Sequence, residues 1–248
     1  DWLESAMYER LYQCMKEYNC DIVDCRMMMD YPNGRTYIYH KMPNRLDAEE
    51  KSIMEGGTHW IDRFGEEGYG GGVVTGLYKK ELLLKSGVKF PEKILYEDNY
   101  WVAILMLYVK RYFHLAEDLY HYRQREDSTV HKKNAMHHVD RLAIEEMKLK
   151  TYHDLHIYER YREIIEQDFL REYYCRTLLT ILVKYDNPPY DVFCHMNRRV
   201  MELYPDYKKT ELAQNEGIGR ILLGLIDRDL DEVQFMEIKK IILSYYGR

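Results

Sequence analysis

The hydrophobic pattern of this 248-residue chain changes character once, near residue 130. Before that point, strand-like and helix-like runs alternate between turn signals. Asp21 to Cys25 reads as a strand open to continuation as far as Met29, Pro32-Asn33-Gly34 as a turn, and Thr36 to His40 as the returning strand of a hairpin. Val73-Val74-Thr75 reads as strand, and Tyr112–Leu115 and Leu119–Arg123 as two short strands around a turn at 116–118. Helix-like spacing places Leu3, Met7, Leu11, Cys14, Met15 and Tyr18 on one stripe over 3–18. Further helices are predicted over Ala48–Met54 with Asp47 as cap, Thr58–Phe64, Tyr78–Ser86 with Gly87 as stop, and Trp101–Val109. After His131 only helical patterns remain, over 135–151, 157–184, 190–203, 209–224 and 230–245, punctuated by Pro188-Pro189 and Pro205. The pattern predicts an α/β segment over 1–130 followed by an all-α region over 131–248.

Charge and cysteine usage narrow the function classes. A formal net charge of -6 suits nucleic acid poorly, because such partners demand a basic face. Cys14, Cys20, Cys25, Cys175 and Cys194 form an odd set with no Cys-x-x-Cys pair, which predicts free, buried thiols in a reducing cytoplasm. Asp1-Trp2-Leu3-Glu4 has neither the basic start nor the apolar core of a signal peptide. The longest apolar run, Trp101 to Val109, is far short of the roughly 20 residues a bilayer span needs. The 25 tyrosines read mainly as strand and core residues, with a minority available to stack on sugars.

Glu97-Asp98 is the main chemical candidate, an acidic pair opening an apolar helix. A carboxylate at this strand-to-helix junction would project into a cleft and serve as a general base if a hydroxyl comes within hydrogen-bond reach. An ordinary N-terminal stabiliser accounts for the same residues. Arg123 and Arg125 alternate on one strand and so share a face, where they suit a diphosphate or an acidic acceptor. Gly68-Tyr69-Gly70-Gly71-Gly72 lacks the Lys-Ser/Thr of a phosphate loop and reads as a tight or flexible loop. His137-His138, near His131 and Asp140, lacks a zinc spacing and reads as the surface start of a helix. Asp227, Asp229 and Asp231 read as an acidic loop, and Arg198-Arg199 and Lys208-Lys209 as solvated helix faces.

In order, Phe90-Pro91, Glu97-Asp98, Tyr120-x-Tyr122-Arg123 and Arg125-x-x-Ser128 resemble the second half of a family 2 glycosyltransferase domain of the GT-A fold. Asp1-Trp2, then a helix and Asp21-Ile22-Val23, resembles the end of that family's acidic Asp-x-Asp-Asp-Trp motif and the strand beyond it. The resemblance covers about residues 1–130 and implies a partial GT-A-like mixed sheet with flanking helices. It implies inverting transfer of a sugar from a nucleotide-sugar donor to a hydroxyl of a glycan or lipid-linked acceptor. Asp98 would be the base, Glu97 would orient it or touch the acceptor, and Arg123, Arg125 and Tyr122 would contact substrate. Asp1 would be one ligand of Mn²⁺ or Mg²⁺ on the donor diphosphate. The family context implies bacterial polysaccharide biosynthesis in the cytoplasm, peripheral at the inner face of the membrane.

Two departures qualify the resemblance. Thr75-Gly76 stands where relatives often carry Asn-Lys, and the family's opening strand and nucleotide-binding residues precede anything present here. The chain opens as if cut within the acidic motif, so by itself it is expected to transfer no sugar, and exposed sheet edges would favour a homodimer. The competing reading is a non-catalytic binding or scaffolding module whose helical region docks on a partner.

Overall fold

A computed structural model describes residues 1–57, 72–125 and 128–246. The chain forms two compact units, residues 1–92 with 97–128, and residues 93–96 with 129–248.

The first unit is built on a mixed six-stranded sheet. Its strands are β1 (Trp2–Leu3), β2 (Ile22–Asp30), β3 (Thr36–Tyr39), β4 (Arg45–Ala48), β5 (Gly76–Tyr78) and β6 (Arg111–Arg123). The parallel pair β2–β6 runs through the centre. Along its other edge β2 pairs first with β5 and further on with β3, and β6 likewise pairs first with β4 and further on with β1, all four antiparallel. Helix α1 (Met7–Glu17) covers one face. Its Met7, Leu11, Cys14 and Met15 recur at helical spacing and pack on Val23, Cys25, Phe113, Leu115 and Tyr120. Burying each such side chain stabilises the unit by about 1.5–3 kcal/mol. Helices α2 (Lys80–Ser86) and α3 (Glu97–Met106) complete the unit.

Several predicted boundaries move, each for a tertiary reason. The first helix begins at Met7 rather than residue 3, because Trp2 and Leu3 pair with His121 and Tyr120 of β6. Asp47 does not cap a helix; it lies in β4, paired with Tyr112, and only a 3-10 turn at Ile53–Glu55 follows. Residues 73–75 form a 3-10 turn, and the strand starts at Gly76. A Cβ at Gly76 would sit 2.9 Å from the Tyr78 ring, so a side chain there would collide with an aromatic neighbour.

The two predicted strands around residues 116–118 are one strand. Its register to β2 shifts on both sides of Arg26, from Cys25↔Leu115 to Arg26↔Asp118 to Met27↔Tyr120. The extra residues are absorbed as a bulge, which sequence alternation alone reads as a turn. Gly87 ends α2 in the left-handed conformation, φ 62°, as its position predicts. The predicted helix at 58–64 and most of the glycine run lie outside the described residues.

The second unit is helical. Its helices are α4 (Asp140–Asp154), α5 (Arg162–Phe169), α6 (Thr177–Lys184), α7 (Tyr190–Leu203), α8 (Glu211–Gln214), α9 (Ile218–Leu223) and α10 (Glu232–Tyr246). A π-helical stretch, Leu170–Arg176, joins α5 to α6 without a break. Two expectations fail here. His138 is buried rather than on the surface, with Nε2 2.6 Å from the Lys132 carbonyl, and burial lowers its pKa. Arg199 is not simply solvated; its guanidinium donates to both oxygens of Glu146 at 2.6 and 2.8 Å.

The unit also buries charge. Lys148 Nζ donates to Glu145 Oε2 at 2.8 Å and to Asp168 Oδ2 at 2.9 Å, and all three residues are buried. Arg171 lies 3.8 Å from the other Asp168 oxygen, and Arg141 donates to Glu172 at 3.0 Å. One ammonium serves two carboxylates, so burial outweighs its attraction at Glu145 and pushes that pKa from 4.5 to about 7. A pKa raised on folding adds stability below the unfolded value, and that stability is lost as pH rises through the folded value. Glu145→Gln is therefore expected to become relatively more stable than the wild type between pH 4.5 and 7. Denaturant midpoints across that range check the sign; a constant difference would remove Glu145 as the source.

Candidate active site

Glu97 and Asp98 form the first turn of α3, after Tyr96, whose φ of 65° is unusual for a bulky residue. Trp101 sets the rotation of this helix. Its buried ring stacks on Phe90 at 4.7 Å and meets the edge of Tyr78 at 5.3 Å. One turn earlier, Asp98 is exposed and Glu97 half-buried. Asp98 Oδ1 accepts the Asn99 backbone N–H at 2.9 Å.

The second group assembles at the end of β6. Asp1 Oδ2 accepts the Tyr120 hydroxyl at 2.8 Å, and Asp1 Oδ1 accepts the Arg123 backbone N–H at 3.1 Å. Tyr122 is half-buried beside the α1 core, while the Arg123 and Arg125 side chains are exposed. Asp1, Tyr122 and Arg123 thus share one sheet end. Among the described residues no hydrogen bond or ion pair joins them to Glu97 or Asp98.

Tyr120→Phe deletes the only side-chain donor to Asp1 among the described residues while keeping the ring in the core. Its expected effect is about 1 kcal/mol, with faster amide exchange at Trp2 and Leu3. Unchanged exchange there would show that strand pairing alone holds the segment.

Sequence reasoning missed two polar clusters. Trp2 Nε1 donates to Asp30 Oδ2 at 3.0 Å, and His121 Nδ1 lies 3.0 Å from the same oxygen. His121 Nε2 lies 3.3 Å from Glu4 Oε1, and its ring stacks on Trp2 at 3.5 Å. The second cluster is internal: His114 Nδ1 is 2.9 Å from Asp24 Oδ1, both residues buried on β6 and β2. Burial raises the Asp24 pKa against the opposing hydrogen bond from His114. The available signal was a polar residue at a predicted strand position, Asp24 within the 21–25 run and His121 between Tyr120 and Tyr122.

The described residues do not assemble a metal centre. Among them no group of three His, Cys, Asp or Glu could hold an ion, and Asp1 contributes a single carboxylate whose oxygens already accept hydrogen bonds.

No protein-family model matches the chain, and no curated protein matches it significantly. Among solved structures it is similar to S. aureus TarS 1-349, with a TM-score of 0.57 and 15% identity, covering 100% of this chain and 65% of that one. It is also similar to TarS 1-349 in complex with UDP-GlcNAc, with a TM-score of 0.52 and 14% identity, covering 99% and 65%. The fold is GT-A-like. TarS is a glycosyltransferase. This chain spans about 65% of the length of the TarS structures it matches. Its GT-A-like part carries both groups described above, the exposed carboxylate on α3 and the Asp1 end of β6. No helix among the described residues is long and apolar enough to cross a membrane.

Proposed function

We propose that this chain is part of an inverting glycosyltransferase that moves a sugar from a nucleotide-sugar donor to a hydroxyl of a glycan or lipid-linked acceptor. The observation that carries the reading is the exposed Asp98 carboxylate, projected from the first turn of α3 in a GT-A-like fold. TarS 1-349 in complex with UDP-GlcNAc supports a nucleotide-sugar donor as the class to test.

The chemistry needs one base and one leaving group. Asp98 accepts the proton of the acceptor hydroxyl, and the oxygen's electron pair attacks the anomeric carbon. The bond from that carbon to the diphosphate oxygen breaks as the new glycosidic bond forms, and the nucleoside diphosphate departs with the electron pair. Glu97, half-buried beside Asp98, orients the base or meets the acceptor. The exposed guanidiniums of Arg123 and Arg125 offset charge on the leaving diphosphate or hold the acceptor, and Tyr122 borders that contact.

The direct test uses a polypeptide spanning the whole length of the matched fold. It is incubated with UDP-sugars and a hydroxyl acceptor, and release of nucleoside diphosphate is followed together with acceptor mass. Acceptor-dependent release with a matching mass gain is the expected result. Absence of transfer across a panel of donors and acceptors would defeat the reading.

A further inference from the structure

Trp2 is half exposed, yet its orientation is set from several directions. One face of the indole lies on the His121 imidazole at 3.5 Å with the planes 13° apart. The indole N–H is committed to Asp30 Oδ2, which also meets His121 Nδ1. Glu4 braces the far side of the imidazole, and Trp2 itself pairs in register with His121 across β1 and β6. Exposed apolar side chains on a protein surface normally keep rotamer freedom. This one has a hydrogen bond, a ring stack and a strand pairing fixing it, while 50% of its surface stays in water. Its sequence neighbour is Asp1, whose carboxylate lies on Tyr120 and Arg123.

We propose that the open face of Trp2 is a stacking platform for a pyranose ring. The axial C–H groups of a sugar face carry partial positive charge and pack on the negative face of an indole. The equatorial hydroxyls then need polar partners around the rim. The Arg123 side chain, exposed and two residues along β6 from His121, alternates to the same sheet face as His121 and is a suitable partner. His121 and Asp30 act as positioning residues. They hold the ring before a ligand arrives, so little side-chain entropy is lost on binding. The proposal rests on the glycosyltransferase reading in placing a saccharide at this end of β6. The ring is that of the acceptor or of the donor sugar, and the probes below separate the two.

The experiment uses the 248-residue chain labelled with ¹⁵N-tryptophan, in which the three indole N–H resonances are assigned by substitution. It is titrated with methyl β-pyranosides of glucose, galactose and N-acetylglucosamine, with sorbitol as an acyclic polyol of similar hydroxyl content. A parallel titration uses UDP and UDP-GlcNAc. The Trp2 resonance is expected to shift with at least one pyranoside and not with sorbitol. Trp2→Ala should weaken that binding about tenfold or more, and Trp2→Phe less, because a ring remains. A shift with free pyranosides assigns the platform to the acceptor; a shift only with UDP-GlcNAc, and not with UDP, assigns it to the donor sugar.

A Trp2 resonance unmoved by every ligand overturns the platform whether or not the variants fold. Equal affinity of Trp2→Ala and wild type also overturns it. Both readouts are independent of turnover. Loss of the platform therefore leaves the transferase reading standing, and failure of transfer leaves the platform standing.

Discussion

Asp98→Asn, in a polypeptide that spans the whole matched fold, is expected to lower sugar transfer by about 10²–10⁴-fold, the usual contribution of a positioned general base. The amide keeps the size and still offers an oxygen to the Asn99 N–H, so α3 should form as before. The loss should fall on turnover, with donor affinity nearly unchanged, because in the proposed mechanism the side chain meets the acceptor hydroxyl and not the nucleotide. Steady-state transfer with separate donor-binding measurements separates these outcomes. Turnover within a few-fold of wild type would falsify the role given to Asp98. Glu97→Gln serves as the comparison: an orienting or acceptor contact predicts a smaller loss than removal of the base itself.

The second large effect concerns stability rather than chemistry. Lys148→Ala leaves Glu145 and Asp168 buried without their shared cation. Removing one member of a buried ion cluster costs about 3–5 kcal/mol, because the charge left behind loses its close partner away from water; here Asp168 keeps only Arg171, at 3.8 Å. The helical unit should therefore lose that much at pH 8 and less at pH 5, where Glu145, whose pKa burial raises, takes up a proton. Combining Lys148→Met with Glu145→Gln and Asp168→Asn removes the stranded charges and is expected to recover most of the loss. Urea denaturation followed by helical circular dichroism reads all three proteins, the wild type included. A loss under about 1 kcal/mol for Lys148→Ala at pH 8 would mean that water reaches the cluster.

These two positions differ in how visible they were. Glu97-Asp98 stands out in the chain because its neighbours in sequence, Phe90-Pro91 before and the Tyr120–Arg123 strand after, form an ordered series. Lys148 carried no such mark. It sits in a helical run where a lysine normally faces water, and its second carboxylate comes from Asp168 on the next helix. The same holds for the end of β6. Asp1, Tyr122, Arg123 and Arg125 could each be named from the resemblance, but the bond from Tyr120 to Asp1 joins residues 119 apart.

The sequence by itself determined the α/β-then-helical order, the strands now seen as β2, β3 and both halves of β6, and the stop at Gly87. It also determined that the cysteines are free and mostly buried. These features follow from local periodicity and local backbone preference, which neighbouring residues encode. Only the tertiary structure decided that residues 2–3 leave the first helix for a strand and that Asp47 joins a sheet instead of capping a helix. It also decided that the β6 turn is a bulge and that Trp2 is pinned with one face open. In each case a weak local preference yields to hydrogen bonds and buried contacts from partners distant in the chain. Period and propensity say which face of a segment is apolar, and packing chooses what that face meets.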